Sequence, residues 1–177
     1  SINNIDADFI WYSHEHPDHF SVLDLNSISK DKKKKIKILF QETLDRKVVK
    51  FLTDKNFKVE ELKLNIEKKI NNELSIVVGS VGGFDSWILF KTKDYNILNL
   101  NDCQTSEKNL ESILKMADNK IDVLMTQFSF ANWICNNGDH ELAKKQVNLV
   151  KSKVRKQVEI LKPKYLIPFA SFTYFCN

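Results

Sequence analysis

The strongest constraint on the fold is the segment His14-Glu15-His16-Pro17-Asp18-His19, which holds three of the four histidines in the 177-residue chain. It directly follows Asp8 to Tyr12, an apolar run that is typical of a buried strand. Imidazole and carboxylate groups at this density suit zinc, iron or manganese, and a rigid scaffold presents its ligands on loops that follow strands. The segment therefore predicts a metal site, and the alternative is a polar surface loop that binds no metal.

The spacing within this segment suggests how it would bind metal. Residues two apart on an extended chain face the same way, so His14 and His16 can bind one ion together. Asp18 and His19 follow the turn that Pro17 favours, and they could hold a second ion.

Three segments of the chain resemble the metallo-β-lactamase superfamily. The H-x-H-x-D-H pattern at His14 to His19 is similar to its signature loop. Tyr95 to Leu100, followed by Asn101-Asp102-Cys103, resembles the later strand that ends in a metal-bridging aspartate. Leu161 to Ala170 is similar to the last core segment of one branch, which contains the UlaG-type lactonases and the metallo-β-lactamase-like part of CMP-N-acetylneuraminate hydroxylases.

The resemblance implies an α/β fold, the αββα sandwich, as one domain over residues 1–177. It implies one or two zinc ions, with iron or manganese as alternatives, that generate hydroxide for attack on an ester, lactone or phosphodiester. Asp18 would orient this hydroxide as a catalytic residue, and Asp102 would bridge the two ions. The implied ligands are His14, His16, Asp18, His19 and Asp102.

The superfamily also supplies a further histidine ligand between the signature loop and the bridging aspartate. No histidine lies in the corresponding region, Gly79 to Trp87, where Asp85 is the one candidate. A carboxylate can replace imidazole on zinc or iron, although Asp85 could equally cap or turn the glycine-rich loop. His140 is the fourth histidine and could be a ligand, a substrate contact or an exposed residue at a helix start.

The ends of the chain raise a question of extent. Thirteen residues precede His14, where the superfamily has several strands, and the related branch places a metal-site histidine at Asn177 or beyond it. We therefore expect N-terminal strands and the C-terminal end of the domain to be missing. The rest of a longer chain, or a second copy pairing through an exposed sheet edge, could complete it.

Composition excludes several classes of protein. With 42% hydrophobic and 28% charged residues the chain is typical of a globular domain. The net charge of +4 is modest, and the dense run Lys32 to Lys35 indicates a solvated face more than a nucleic-acid patch. Cys103, Cys135 and Cys176 lack the spacing of a disulfide framework or cysteine zinc site. Without a long apolar run or signal peptide, we expect no membrane contact and a cytoplasmic location.

Periodicity predicts alternating strands and helices. Helices are expected over Leu44 to Leu52, from Ser106 to about Ala117, and from Asp139 to Pro163. The last should carry an apolar stripe from Leu142 to Leu161. Strands are expected at Lys35 to Phe40 (half-exposed), Val59 to Leu64, Leu74 to Val78, Trp87 to Phe90, Tyr95 to Leu100 and Ile121 to Thr126, with a turn over Gly79 to Gly83. The aromatic stretch Gln127 to Trp133 could line a cleft or belong to the core.

Two classes of function remain open. The first is a metal-dependent hydrolase of a small, phosphorylated or sugar-derived molecule. The second is a metal-binding, non-hydrolytic domain of a larger enzyme, or a degenerate relative without activity. A nuclease is disfavoured because the modest charge provides no basic groove.

Overall fold

The computed structural model of the protein describes residues 5–128 and 135–169. Their contacts form two compact units: residues 5–68 with 78–86, and residues 69–77 with 87–128 and 135–169. That the chain is a single domain stays a prediction, and each unit is described by itself.

The first unit is built on a parallel three-stranded sheet in the order β1-β2-β3. Its elements are β1 (Phe9–Trp11), α1 (Val22–Ser27), α2 (Lys30–Lys35), β2 (Lys37–Gln41), α3 (Lys47–Asp54) and β3 (Lys58–Leu62). The prediction that Lys35 to Phe40 is half-exposed is wrong, because β2 is the central strand and buries Ile38, Leu39 and Phe40. The prediction that β1 is buried is also wrong, since β1 lies at an edge of the sheet that the described residues form and is partly exposed.

Helices and loops around β2 supply the core of the first unit. Ser21 and Ser29 cap α1 and α2 by accepting backbone N–H groups. The helix predicted from Leu44 begins instead at Lys47, and Leu44 is fully exposed. The buried core members are Phe20, Leu25, Ile28, Ile38, Phe40, Val48, Val49, Leu52 and Phe57. Each such side chain contributes about 1.5–3 kcal/mol when fully buried.

Most of the second unit is formed by a six-stranded sheet whose strands follow chain order from β4 to β9. Its elements are β4 (Lys68–Lys69), β5 (Leu74–Val81), β6 (Asp85–Thr92), β7 (Asn96–Asn101), α4 (Glu107–Met116), β8 (Val123–Gln127), α5 (His140–Leu161) and β9 (Tyr165–Phe169). The β6–β7 pair is antiparallel, and β7, β8 and β9 are parallel. The tip of the β5–β6 hairpin, residues 78–86, belongs to the first unit.

That tip turns more tightly than the sequence predicts. Strand β5 runs through Val81, so only the end of the predicted glycine turn is a turn. Gly82 and Gly83 have φ values of 66° and 82°, which L side chains rarely adopt. The short turn places Asp85 at the first residue of β6.

The helices of the second unit begin and end close to their predicted residues. Ser106 and Asn109 form a capping box at the start of α4. Helix α5 runs from His140 to Leu161. Of its predicted apolar stripe, Leu142 is 40% exposed, and the buried residues of the helix, Gln157 and Leu161, lie in its C-terminal half. None of the described helices combines the length and apolar character needed to span a bilayer.

The last strand differs from its prediction in burial. The segment from Leu161 to Ala170 resembles a core segment, yet Tyr165, Leu166 and Ile167 are exposed in β9. Strand β9 pairs on one side with β8 and forms an edge of the described sheet. Ala170, residues 129–134 of the aromatic stretch and Asn177 lie outside the described residues.

Candidate metal centre

The histidine segment folds into a tight turn directly after β1. The backbone N–H groups of His19 and Phe20 both donate to the carbonyl oxygen of His16, at 2.9 and 2.8 Å. This confirms the turn that Pro17 predicts, and it brings three imidazoles together. The ring of His14 lies 4.6 Å from that of His16 and 4.3 Å from that of His19, measured between centroids.

Asp85 approaches this turn from the tip of the β5–β6 hairpin. Its Oδ1 lies 3.9 Å from Nε2 of His14, and one ligand atom each from His14, His16 and Asp85 lie within 4.8 Å of one another. Donors about 2.0–2.2 Å from one ion are at most about 4.4 Å apart, so the His14–Asp85 distance fits a shared ion. Two nitrogens and a carboxylate oxygen suit zinc, iron or manganese.

The second ring nitrogen of His14, Nδ1, faces away from Asp85 and is held by a neighbouring side chain. Oγ of Ser13 lies 3.0 Å from Nδ1 of His14, within a hydrogen bond. Metal-binding histidines commonly donate the second ring N–H in this way, which fixes the ring and directs the remaining nitrogen at the ion. His14 is 2% exposed and Asp85 27% exposed, so the set has one firmly buried member and one side open to solvent.

Two buried polar residues that the sequence interpretation missed hold the loop and the hairpin tip together. Nε2 of Gln41, at the end of β2, donates to the carbonyl oxygens of Ser13 and Phe84. The hydroxyl of Ser86 donates to the same Ser13 carbonyl. Gln41 and Ser86 thereby fix the loop that carries His14 opposite the hairpin that carries Asp85. A polar residue ending the apolar run of β2 was the signal for Gln41.

A cleft of about 730 Å³ opens over the histidines within the first unit. Its walls come from the segments after β1, β2 and β3 and from the hairpin tip: His14, Glu15, His16, Phe40, Gln41, Glu42, Thr43, Leu44, Asp45, Val48, Leu64, Ser80, Gly83 and Phe84. The carboxyl ends of parallel strands meet at one sheet edge, where α/β folds bind ligands. The volume lies in the range of small-molecule sites.

Comparison with solved structures identifies the architecture. CmlA, a diiron β-hydroxylase from Streptomyces venezuelae, matches 92% of this chain over 35% of its own, with 11% identity and a TM-score of 0.67. Human tRNase Z, short form, matches 93% of this chain over 76% of its own length, with 13% identity and a TM-score of 0.60. The metallo-β-lactamase fold protein YhfI from Bacillus subtilis matches 93% of this chain over 76% of its own length, with 12% identity and a TM-score of 0.55. The chain has a metallo-β-lactamase fold. It spans about a third of the hydroxylase's length.

Sequence comparison adds nothing to this result, because no family model and no curated protein matches the chain. The predicted metallo-β-lactamase fold is confirmed. The narrower resemblance to the branch of UlaG-type lactonases and CMP-N-acetylneuraminate hydroxylases stays a prediction.

The other predicted site residues of this metallo-β-lactamase fold are placed as follows. Oδ2 of Asp18 lies 3.2 Å from Nε2 of His19 in the first unit. Asp102 belongs to the second unit and follows β7 directly, as the sequence predicts, while its role as a bridging ligand stays a prediction. His140 is exposed at the first residue of α5, and its roles as ligand or substrate contact also stay predictions.

In the second unit, Lys153 of α5 is near enough to Asp102 for the two charges to interact. Burial lowers the pKa of Lys153, while the nearby Asp102 and Cys103 act in the opposite direction. The end of β7 therefore carries a carboxylate with a partly buried amine beside it.

Proposed function

We propose that this chain is a metal-dependent hydrolase in which His14, His16 and Asp85 hold a zinc, iron or manganese ion. The observation that carries the proposal is the approach of these three ligand atoms to within 4.8 Å, with both histidines lining a ligand-sized cleft. The metallo-β-lactamase fold supports it, because human tRNase Z, a hydrolytic enzyme by its name, shares that fold.

The chemistry of such a site divides between the ion and the chain. A bound ion would lower the pKa of its water toward neutrality and so supply a nucleophile for an ester, lactone or phosphodiester. Asp18, beside His19, would orient the attacking water and receive its proton at Oδ2. His14, braced by Ser13 and backed by Gln41 and Ser86, would keep the ligand set in place while substrate enters past His16. In a site with two ions, Asp18 and His19 would hold the second ion, and the bridging role of Asp102 stays a prediction.

A second candidate function follows from the match to the diiron β-hydroxylase, which covers 92% of this chain and only 35% of the hydroxylase. In this alternative the chain is the metal-binding part of a longer protein, and the ion serves chemistry other than hydrolysis.

Metal content and hydrolysis measured together test the proposal. The purified chain, the double variant His14→Ala/His16→Ala and the control His140→Ala would each be loaded with zinc and assayed by plasma mass spectrometry. We expect one to two equivalents in the wild type and in His140→Ala, and none in the double variant. Loss of zinc in His140→Ala would instead make His140 a ligand.

Activity then separates the two functions. Zinc-loaded protein would be tested on 4-nitrophenyl esters, a δ-lactone and bis(4-nitrophenyl) phosphate, with the double variant as background. Turnover that disappears in the double variant supports the hydrolase. Stoichiometric metal without turnover of any of these substrates would favour the metal-binding domain. A folded wild type that takes up no metal would contradict both.

A further inference from the structure

The charge of the cleft narrows the substrates that the proposed site can take. Its described lining contains three carboxylates, Glu15, Glu42 and Asp45, and neither lysine nor arginine. The modest net charge of +4 over the whole chain gives no hint of this local excess. A cleft lined by one sign of charge enriches ligands of the opposite sign and disfavours those of the same sign.

Basic side chains near the cleft offset part of this negative charge but do not reverse it. Nζ of Lys47 lies 3.0 Å from Oε1 of Glu15, which offsets one carboxylate. Arg46 pairs with Glu61. Lys47 also lies close enough to Asp45 to help lower its pKa, and Nζ of Lys50 donates to the Asp45 carbonyl oxygen at 3.2 Å. Among the described residues, the carboxylates of Glu42 and Asp45 form no ion pair with lysine or arginine, and they carry the excess charge of the cleft.

Asp45 also occupies the place where an anion would otherwise bind. Its Oδ1 accepts the backbone N–H of Lys47, at the start of α3, and the hydroxyl of Thr43, both at 3.2 Å. The N–H of Lys47 and the Thr43 hydroxyl hold the pKa of Asp45 below its usual value, so its carboxylate is charged at neutral pH. An acidic substrate group finds this helix end already taken.

Five side chains of the lining are large and apolar or aliphatic. Phe40 and Val48 are buried in it, while Leu44, Leu64 and Phe84 are exposed large apolar side chains along the same lining. Covering these side chains would remove apolar surface from water at about 25 cal/mol per Å². They favour a ligand with a hydrocarbon or aromatic body.

We propose that the cleft selects uncharged or cationic organic esters and lactones with an apolar body, and that it discriminates against substrates with an additional anionic group. The inference rests on the proposed function for the reaction but on the cleft alone for the selectivity. A metal at His14, His16 and Asp85 would still attract the reacting carbonyl, whereas a second, distant anionic group meets Glu42 and Asp45.

Three 4-nitrophenyl esters with acyl chains of matched length test the selectivity on zinc-loaded protein. The chains end in a methyl, a trimethylammonium or a carboxylate group. We expect kcat/KM for the carboxylate ester to be lower than for the methyl ester by on the order of tenfold, and the trimethylammonium ester to be at least as good as the methyl ester. High salt should shrink the difference. A carboxylate ester that reacts as fast as the methyl ester would overturn the inference.

A charge reversal assigns the effect to the cleft. Glu42→Lys should raise the carboxylate-to-methyl ratio of kcat/KM by on the order of tenfold. Asp54→Lys makes the same charge change at an exposed residue of α3 outside the lining and should leave that ratio unchanged. An unchanged ratio in Glu42→Lys, or an equal rise in Asp54→Lys, would contradict the inference.

A binding measurement keeps selectivity separate from catalysis. If no ester is hydrolysed, the proposed hydrolase fails, and the selectivity is read from NMR titration of the metal-free protein, in which no ion can bind a carboxylate, with benzyltrimethylammonium and phenylacetate. Tighter binding of the cation, reversed by Glu42→Lys, would sustain the inference without any turnover. Equal or tighter binding of phenylacetate that Glu42→Lys leaves unaltered would overturn it.

Discussion

The two units of the molecule use buried polar residues in different ways. In the second unit, Gln157 of α5 accepts the hydroxyl of Thr126 at 3.0 Å and donates to the hydroxyl of Thr105 at 3.4 Å. In the first unit, Gln41 and Ser86 bond to the backbone beside His14, which lines an open cleft. Both glutamines are buried, but Gln157 ties a helix to its sheet, whereas Gln41 supports a loop of titratable side chains.

The difference teaches where function can be sought in such a fold. Polar groups that satisfy one another inside a unit stabilise its packing and leave nothing for a ligand. Polar groups that brace ligating side chains at the carboxyl ends of parallel strands preorganise a site. The comparison therefore assigns the candidate chemistry to the first unit.

The largest expected effect concerns whether the two units unfold together. Ile38→Ala in the first unit and Leu124→Ala in the second each remove a fully buried side chain, and each should lower the free energy of unfolding by about 2–5 kcal/mol. If the chain is a single domain, both substitutions shift one common urea transition, followed by fluorescence and circular dichroism. Two transitions, each moved by one substitution alone, would contradict the single domain. Leu23→Ala, at an exposed residue, is the control and should change stability by less than about 0.5 kcal/mol.

Removal of Asp85 should have the next largest effect. Asp85→Ala deletes the carboxylate of the proposed ligand set His14, His16 and Asp85. Loss of a residue that only supports a metal ligand weakens metal binding by up to about 100-fold, so loss of a direct ligand should lower zinc affinity by on the order of a hundredfold or more. Competition with a chelating dye measures this affinity. Asp94→Ala, at an exposed residue of the β6–β7 turn, should bind zinc as the wild type does. Unchanged affinity in Asp85→Ala would return Asp85 to its alternative role in the turn.

The two buried glutamines give a matched test of the comparison itself. Gln41→Ala and Gln157→Ala should each cost about 1–3 kcal/mol of stability, because each leaves buried hydrogen-bonding groups unsatisfied. Only Gln41→Ala should also lower the zinc affinity of the folded protein, by about 10–100-fold, since Gln41 positions the loop of His14. Equal affinities in the two variants would mean that Gln41 is structural in the same sense as Gln157.

Much of this arrangement could be predicted from the sequence because it depends on local signals. The histidine spacing, the Pro17 turn, the Ser106 cap and the boundary at Pro163 are each fixed by a few adjacent residues. The metallo-β-lactamase fold, which the comparisons confirm, is predicted from the resemblance of three segments, His14 to His19, Tyr95 to Cys103 and Leu161 to Ala170.

The missed features depend on residues far apart in the chain. Gln41 reaches Ser13 and Phe84, 28 and 43 residues away, and no local pattern announces those partners. The acidic cleft likewise gathers residues from four separate segments. Burial of β2 and exposure of β9 follow from the position of each strand in its sheet, which periodicity alone does not give.

The smallest expected effect is on the pH dependence of stability, to which one carboxylate in each unit contributes. In the first unit, a hydrogen bond from Lys68, aided by Lys37, lowers the pKa of Glu60. In the second unit, the backbone N–H of Asn96 is the main cause that lowers the pKa of Asp122. A lowered folded-state pKa stabilises the protein above the unfolded pKa, about 4.5 for Glu60, and this contribution is lost as the pH falls through the folded value.

High salt should reduce the stability contribution of Glu60 more than that of Asp122. Glu60→Gln and Asp122→Asn should each weaken the loss of stability as the pH falls below about 4.5 for Glu60 and about 3.8 for Asp122, measured by urea unfolding. The Glu60 part should stay below about 1 kcal/mol. Since lysine side chains hold Glu60, high salt should screen its contribution, whereas the hydrogen bond from a fixed backbone N–H should keep most of the Asp122 contribution. Equal salt sensitivity of the two variants would mean that the lysine beside Asp122, Lys120, outweighs its backbone donor.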